Sequence, residues 1–152
     1  YLQDGYSQPR TTEKVDFQGA ISFGIPGNYK NVFAVDFHAL YPSIIKQYKL
    51  FDKKKDPNGH LLKATIFFTD TRDQYKAKYK QTGESKYDGM QLSMKTLSNS
   101  VFGAQGAAYL LYNSPSISST ITRIGRELLD TICKEATGKS VYTWKDELEN
   151  KE

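Results

Sequence analysis

Asp36 is the residue whose sequence position most clearly suggests chemistry. It follows the apolar run Val32–Val35, and Pro42, six residues later, suits the first turn of a helix. A carboxylate between a strand and a helix lies where an open sheet presents groups to a ligand, although a helix cap or a surface turn explains the same position. The two His residues and one Cys offer no clustered zinc ligands, so a metal here must be a hard cation held by oxygen.

Basic side chains form a second candidate site. Arg72, Lys76 and Lys80 are four residues apart, so in a helix they share one face. A solvated basic face is the alternative interpretation. The formal net charge of +4 and the pI near 9.0 mildly favour a polyanionic partner.

Turn residues and short apolar runs define the elements that would position Asp36. The sequence predicts one strand over 17–23, a turn containing Gly24, Pro26 and Gly27, and a buried strand over 32–35. A helix should begin near Pro42 and end near Lys49. The lysine-rich segment 51–60 closes on a turn signature and predicts an exposed loop.

The second half of the sequence is predicted to be mainly helical. The stretches 69–81 and 87–101 predict an antiparallel helical hairpin that turns near Gly83. A long helix should open at Pro115 and end at Gly138, because its apolar residues recur every three or four positions. The residues 140–144 could start a strand, and the residues after them form a charged tail.

Composition limits the class of protein. A chain of 152 residues suits one domain of ordinary size, and the 11 Tyr and 8 Phe argue against disorder. Cys133 has no cysteine partner, and no apolar run approaches the roughly 18 residues of a membrane span. We therefore expect a soluble, cytoplasmic protein of a reducing compartment, neither secreted nor membrane-bound.

The run that starts at Asp36 reads D-F-H-A-L-Y-P-S-I-I. It resembles the first palm motif of family B DNA polymerases, D-x-x-S-L-Y-P-S-I-I, with Ala39 at the usual Ser. Residues 95–103 read K-T-L-S-N-S-V-F-G and resemble the fingers motif K-x-x-x-N-S-x-Y-G, with Phe102 at the usual Tyr. Two motifs in the family's order make the resemblance specific.

Three further segments are similar to the same family. Arg72 and Lys76 fit the R-x-x-x-K pair of the other fingers helix, residues 18–20 fit the segment before the palm, and residues 122–128 fit the palm helix after the fingers. The resemblance covers about residues 17–138. It implies an α+β fold, with an incomplete antiparallel palm sheet, packed helices and an α-helical fingers hairpin.

This fold divides the chain into three parts. Residues 1–50 would be the N-terminal part of the palm with the first catalytic motif, and residues 51–104 the fingers hairpin. Residues 105–152 would hold the palm helix, a short strand and the charged tail.

The resemblance also implies roles for individual residues in template-directed DNA synthesis. Asp36 and the Phe37 carbonyl would bind metal, and Asp36 and Lys95 would be the catalytic residues. Tyr41 would lie beneath the deoxyribose and exclude a 2′-hydroxyl. The deoxynucleoside triphosphate would be bound by His38, Ala39, Leu40, Tyr41, Arg72, Lys76, Lys95, Asn99 and Phe102.

The implied cofactor is Mg²⁺ in a two-metal site, but the second carboxylate motif of the family is missing. The sequence contains no D-T-D-S, and the closest register places Trp144 and Asp146 at the two Asp positions. Lys145 makes that register unfavourable for a dication. We expect little polymerisation by this chain alone.

Three hypotheses account for the missing motif. The chain could be the palm and fingers portion of a split, phage-type polymerase, completed on primer–template DNA by partner polypeptides with the thumb and the second motif. Such a partner could carry an exonuclease as well, and a phage-type origin would imply the cytoplasm of a bacterial or infected host cell. This chain could instead be a catalytically inactive, polymerase-like module that binds nucleotide or DNA. The third possibility is a truncated piece of a single-chain enzyme.

Overall fold

The computed structural model describes residues 16–22, 24–32 and 34–150. Regular structure in these residues consists of five helices: α1 Leu40–Tyr48, α2 His60–Thr82, α3 Ser85–Gly106, α4 Pro115–Thr137 and α5 Val141–Glu149. These ranges contain no strand, so the predicted α+β palm sheet is wrong for them. The polar lead-in before residue 16 lies outside the described residues.

In the segment predicted as two strands, the described residues are irregular. Between residues 16 and 35, the described residues form no strand, and Val32 and Val35 are 73% and 66% exposed. Apolar β-branched residues favour a strand only where another strand pairs with its backbone. Here Thr122 Oγ1 of α4 donates instead to the Gln18 carbonyl at 2.9 Å. This part of the chain is therefore held by side chains of a helix.

The predicted ends of two helices, α1 and α4, are close to the observed ones. α1 begins two residues before Pro42 and ends where Lys49 adopts the left-handed conformation. α4 begins at Pro115 and is capped by Gly138, as predicted. These residues mark helix ends because Pro lacks the N–H that a first turn leaves unbonded, and Gly tolerates positive φ.

α2 begins nine residues earlier than the predicted helical stretch. Asp56 is only 1% exposed, and its carboxylate accepts hydrogen bonds from the N–H groups of His60 and Leu61 at 2.8 and 2.9 Å. An acidic group at a helix N-terminus satisfies free N–H groups and complements the helix dipole. The loop predicted over 51–60 thus contains a buried cap that starts α2.

α2 and α3 form the predicted antiparallel hairpin. Gly83 makes the turn with φ 69°, and its N–H donates to the Tyr79 carbonyl at 2.8 Å. On either side of the turn, the rings of Tyr75 and Tyr87 stack at 6.3 Å. The helices are longer than predicted, because α3 continues to Gly106.

The main core joins α1 and α4. Ile44, Ile45, Ile121 and Ile124 form a buried cluster, against which Leu62 of α2 and Phe102 of α3 pack. A Cβ at Gly125 would lie 3.4 Å from the Tyr41 ring, so glycine permits α1 and α4 to approach closely. This core fixes the beginning of α1 relative to the hairpin.

α5 replaces the predicted C-terminal strand. Ser140 caps it by accepting a hydrogen bond from the Tyr142 N–H at 3.2 Å, and the helix packs against α4. Lys145 and Glu149 form an i, i+4 ion pair, which suits a helix and not a charged tail. The helices of the described part of the chain include none long and apolar enough to cross a membrane.

Candidate nucleotide-binding site

A cavity of about 310 Å³ lies between the start of α1 and the helical hairpin. One wall is the continuous segment from Asp36 to Tyr41. The other wall consists of Arg72 from α2 and of Lys95 and Asn99 from α3. The structure thus brings together most of the residues that the sequence predicted as a nucleotide site.

The first wall is shaped by the turn that starts α1. Ala39 is the N-cap, with φ 49° and ψ 54°, and its side chain makes no capping hydrogen bond. The Ser43 hydroxyl donates to the His38 carbonyl at 3.0 Å, which holds the turn from inside the helix. The first N–H groups of a helix lack partners within it and favour negative charge nearby.

The second wall is cationic. Lys95 and Asn99 are four residues apart on α3 and therefore share a face. Arg72 is half-buried, and its Nε lies 3.4 Å from Gln91 Oε1 across the hairpin. A carboxylate opposite an arginine and a lysine suits a metal–phosphate ligand, because the cations would offset the phosphate charge.

Lys76 and Phe102, which the sequence also predicts to bind the nucleotide, do not line this cavity. Lys76 lies one turn further along α2 than Arg72 and is half-buried. Phe102 packs against the main core, and its ring centroid lies 4.4 Å from that of Tyr41 at an angle of 38°. Phe102 therefore supports Tyr41, which does line the cavity.

Asp36 is the carboxylate of the cavity wall, and Phe37 lies beside it. Within the described ranges no cluster of three His, Cys, Asp or Glu side chains could hold a metal. One carboxylate, one carbonyl and the oxygens of a bound triphosphate nevertheless fit the ligand preference of Mg²⁺. Asp36 and Phe37 are therefore the residues of this cavity wall that could contribute oxygen ligands to such an ion.

The sequence analysis missed two contacts at the site. His38 Nε2 lies 3.1 Å from Asp73 Oδ1, which connects the first motif to α2. Gln91 contacts Arg72, and its four-residue spacing from Lys95 is the signal that could have identified it.

A second cavity, of about 270 Å³, lies on another side of Asp36 and Tyr41. Arg126 of α4 lines it and is 8% exposed. Its Nη1 donates to the Gln18 carbonyl at 2.7 Å and also to the Gly19 carbonyl. Arg126 thereby holds residues 18 and 19 close to the cavity.

Comparison with known proteins decides the family. The family model described as DNA polymerase family B matches residues 49–151, a range that contains the whole hairpin, α4 and α5. The chain belongs to DNA polymerase family B. The matched range begins after the Asp36 segment, so the family assignment does not depend on the first motif.

The curated relatives are also DNA polymerases. DNA polymerase 1 of Sulfolobus acidocaldarius is 32% identical over 151 aligned positions, which cover 79% of this chain and 17% of that protein. DNA polymerase 1 of Saccharolobus solfataricus is 29% identical with the same coverage. A catalytic subunit of DNA polymerase alpha from Saccharomyces cerevisiae is 26% identical over 84% of this chain and 10% of that protein.

The family B chain thus spans about a sixth of the length of its archaeal relatives. No solved structure matches it significantly. Family membership supports a DNA polymerase fragment.

Proposed function

We propose that this chain forms the nucleotide-binding part of a DNA-directed DNA polymerase active site. The observation that supports this function is the cavity in which Asp36 faces Arg72 and Lys95. Nucleotidyl transfer depends on charge neutralisation and alignment, and needs little covalent chemistry from the protein. The residue types around the cavity are those that this chemistry uses.

The two walls have different roles in the proposed site. Arg72 and Lys95 bind the triphosphate, and Asn99 adds a hydrogen-bonding amide beside them. Tyr41, supported by Phe102, lies under the sugar and excludes a 2′-hydroxyl. The backbone of His38, Ala39 and Leu40 lies along the phosphates at the start of α1.

Lys76 is proposed to join the triphosphate contacts. Its position one turn beyond Arg72 means that it reaches the phosphates only if the hairpin moves toward α1. Closure of this kind completes a site and excludes water.

Asp36 and the Phe37 carbonyl would hold a Mg²⁺ ion together with the triphosphate. The bound ion would neutralise phosphate charge and orient the reacting groups. The second carboxylate of a two-metal site is supplied from outside these 152 residues, either by the same longer polypeptide or by a partner chain. The thumb and most of the primer–template contacts come from the same source.

The decisive test uses Asp36→Ala with Asp146→Ala as the matched control, because Asp146 lies in α5 and not at the cavity. Primer extension is measured with the polypeptide or complex that contains this chain. Asp36→Ala should reduce extension by at least about 10³-fold, since metal-based charge stabilisation contributes several kcal/mol. Asp146→Ala should leave extension nearly unchanged.

Binding of dATP with Mg²⁺ to the 152-residue chain is measured by calorimetry in parallel. Binding without extension in any complex would favour the inactive, polymerase-like module. Unchanged extension by Asp36→Ala would overturn the proposed site, and loss of extension in Asp146→Ala would support the alternative register of the second carboxylate.

A further inference from the structure

Asp88, Gln91 and Arg72 form a chain of side-chain contacts across the hairpin. Asp88 Oδ1 accepts a hydrogen bond from Gln91 Nε2 at 2.9 Å, and Gln91 Oε1 lies 3.4 Å from Arg72 Nε. Asp88 and Gln91 are one turn apart on α3, whereas Arg72 is on α2. The chain of contacts therefore runs from one helix of the hairpin to the other.

The donor and the acceptor in each contact determine how the Gln91 amide and the Arg72 guanidinium are oriented. The Asp88 carboxylate only accepts hydrogen bonds, so it fixes the amide of Gln91 with its NH₂ toward α3 and its oxygen toward Arg72. Because Gln91 Oε1 accepts from Arg72 Nε, the two Nη groups of the guanidinium remain available as donors to a ligand. Arg72 lines the cavity of about 310 Å³ in this arrangement.

Gln91 lies on the face of α3 that carries the site. It precedes Lys95 by four residues and Asn99 by eight, so all three side chains project to one side of the helix. A glutamine at this position reaches Arg72 without adding charge to a cavity that would bind phosphate. The packing of α2 against α3 then sets the distance between Arg72 and Lys95.

We propose that Gln91 is a positioning residue that directs the Arg72 guanidinium at the triphosphate, with Asp88 fixing the orientation of the Gln91 amide. This inference rests on the proposed function. A free arginine side chain loses considerable rotamer entropy when it binds a phosphate, and a side chain held in place beforehand loses less. The long Arg72–Gln91 contact is of the kind that shortens when a ligand completes a site.

The alternative is that Asp88 and Gln91 merely form a stabilising i, i+3 pair on the helix surface. The substitutions Gln91→Leu and Gln91→Glu separate the two. For a positioning role, Gln91→Leu should weaken dATP–Mg²⁺ binding about fivefold, the effect of losing roughly one hydrogen bond. Gln91→Glu should weaken it further, because the new carboxylate pairs with Arg72 and repels the phosphates.

The experiment is calorimetric titration of the 152-residue chain with dATP and Mg²⁺, with deoxyadenosine as the phosphate-free probe. Gln74→Leu is the matched control, because Gln74 is an exposed glutamine of the same hairpin and does not line the cavity. Only the triphosphate should lose affinity in Gln91→Leu. Thermal unfolding of each variant measures whether the hairpin remains folded.

Asp88 provides the second measurement. Asp88→Ala should weaken dATP binding in the natural sequence but have no further effect in the Gln91→Leu variant. The effects of two substitutions on the binding free energy are not additive when the two residues act through the same contacts. Asp88→Asn keeps an acceptor for Gln91 Nε2 and should bind dATP nearly as the natural chain does.

The outcomes distinguish this inference from the function on which it rests. If dATP does not bind, or Arg72→Ala binds it normally, the proposed triphosphate site is wrong. If Arg72→Ala weakens binding while Gln91→Leu matches Gln74→Leu, only the positioning role is overturned. Equal effects on dATP and deoxyadenosine would likewise overturn it.

Discussion

Ala39 lies in the cavity wall formed by residues 36–41 and has an unfavourable backbone conformation. Its φ of 49° and ψ of 54° fall in the left-handed region, which costs a residue with a Cβ about 1 kcal/mol or more. The hydrogen bonds of the following turn hold it there, among them that from the Ser43 N–H to the Ala39 carbonyl at 2.9 Å. This conformation lets the chain enter α1 directly from the segment that carries Asp36.

Substitution to glycine tests this strain. Ala39→Gly should raise the free energy of unfolding by about 0.5–1 kcal/mol, because glycine adopts positive φ without steric cost. The same change at Ala77, an exposed position inside α2, should lower it by about 0.5–1 kcal/mol. Urea denaturation of both variants checks the opposite signs, and equal signs would contradict a strained Ala39.

Candidate site residues could be predicted from the sequence where they belong to a short local motif. Asp36, Arg72, Lys95 and Asn99, which the motifs predict as metal- or nucleotide-binding residues, line one cavity. The contacts of Asp73 and Gln91 were missed, because they depend on how α2 lies against α1 and α3. Such packing angles are properties of helix surfaces and cannot be obtained from spacing along one helix.

At the scale of elements, Asp130 connects α4 to α5. Its carboxylate accepts hydrogen bonds from the Ser140 hydroxyl at 2.6 Å and the Val141 N–H at 2.9 Å, and it pairs with Lys134. These partners, Lys134 first and Ser140 next, lower the pKa of Asp130 from 3.8 to about 2. The ionised carboxylate therefore stabilises the start of α5 together with the Ser140 cap.

A lowered pKa makes this connection sensitive to acid. The folded state favours ionised Asp130, so its stabilising effect is fully present above about pH 4 and is lost as the pH falls toward 2. Asp130→Ala should lower the Tm at pH 6, and this difference should shrink as the pH approaches 2. Thermal unfolding against pH checks this, with Glu149→Ala as the control at the exposed end of α5. A Tm difference between Asp130→Ala and the unchanged chain that does not vary with pH would contradict the role of the Asp130 charge.

Element prediction succeeded where a single residue type fixes a boundary and failed where distant contacts do. Pro115 and Gly138 delimit α4 because they act through their own backbones. Residues 32–35 have the composition of a strand, but the described residues supply no strand to pair with them. The segment 140–144 contains Val, Tyr and Thr and still begins a helix, because Asp130 and Ser140 cap it.

At the scale of the whole molecule, one small core holds the site together. Ile45 and Ile121 are fully buried, and the cluster around them includes residues of α1, α2, α3 and α4. The wall with Asp36 is attached through α1, and the wall with Arg72 and Lys95 through the hairpin. The geometry of the cavity therefore depends on the same apolar contacts as the stability of the fold.

Ile121→Ala tests this dependence. Removing a fully buried isoleucine side chain costs about 2–5 kcal/mol, a large part of the roughly 5–15 kcal/mol that stabilises an ordinary domain. Leu129→Ala, on the same helix but at a position that is 38% exposed, should cost less than about 1.5 kcal/mol. Urea unfolding is followed by far-ultraviolet circular dichroism for all helices and by Trp144 fluorescence for α5.

If the helices unfold as one unit, both signals should have the same midpoint in the natural chain, and Ile121→Ala should shift both equally. A shift in circular dichroism without a shift in Trp144 fluorescence would mean that α5 unfolds independently of the core. Affinity for dATP should fall in Ile121→Ala more than in Leu129→Ala, since the two walls of the cavity are joined through Ile121 and its neighbours. Unchanged affinity in a destabilised Ile121→Ala chain would contradict the link between the core and the site.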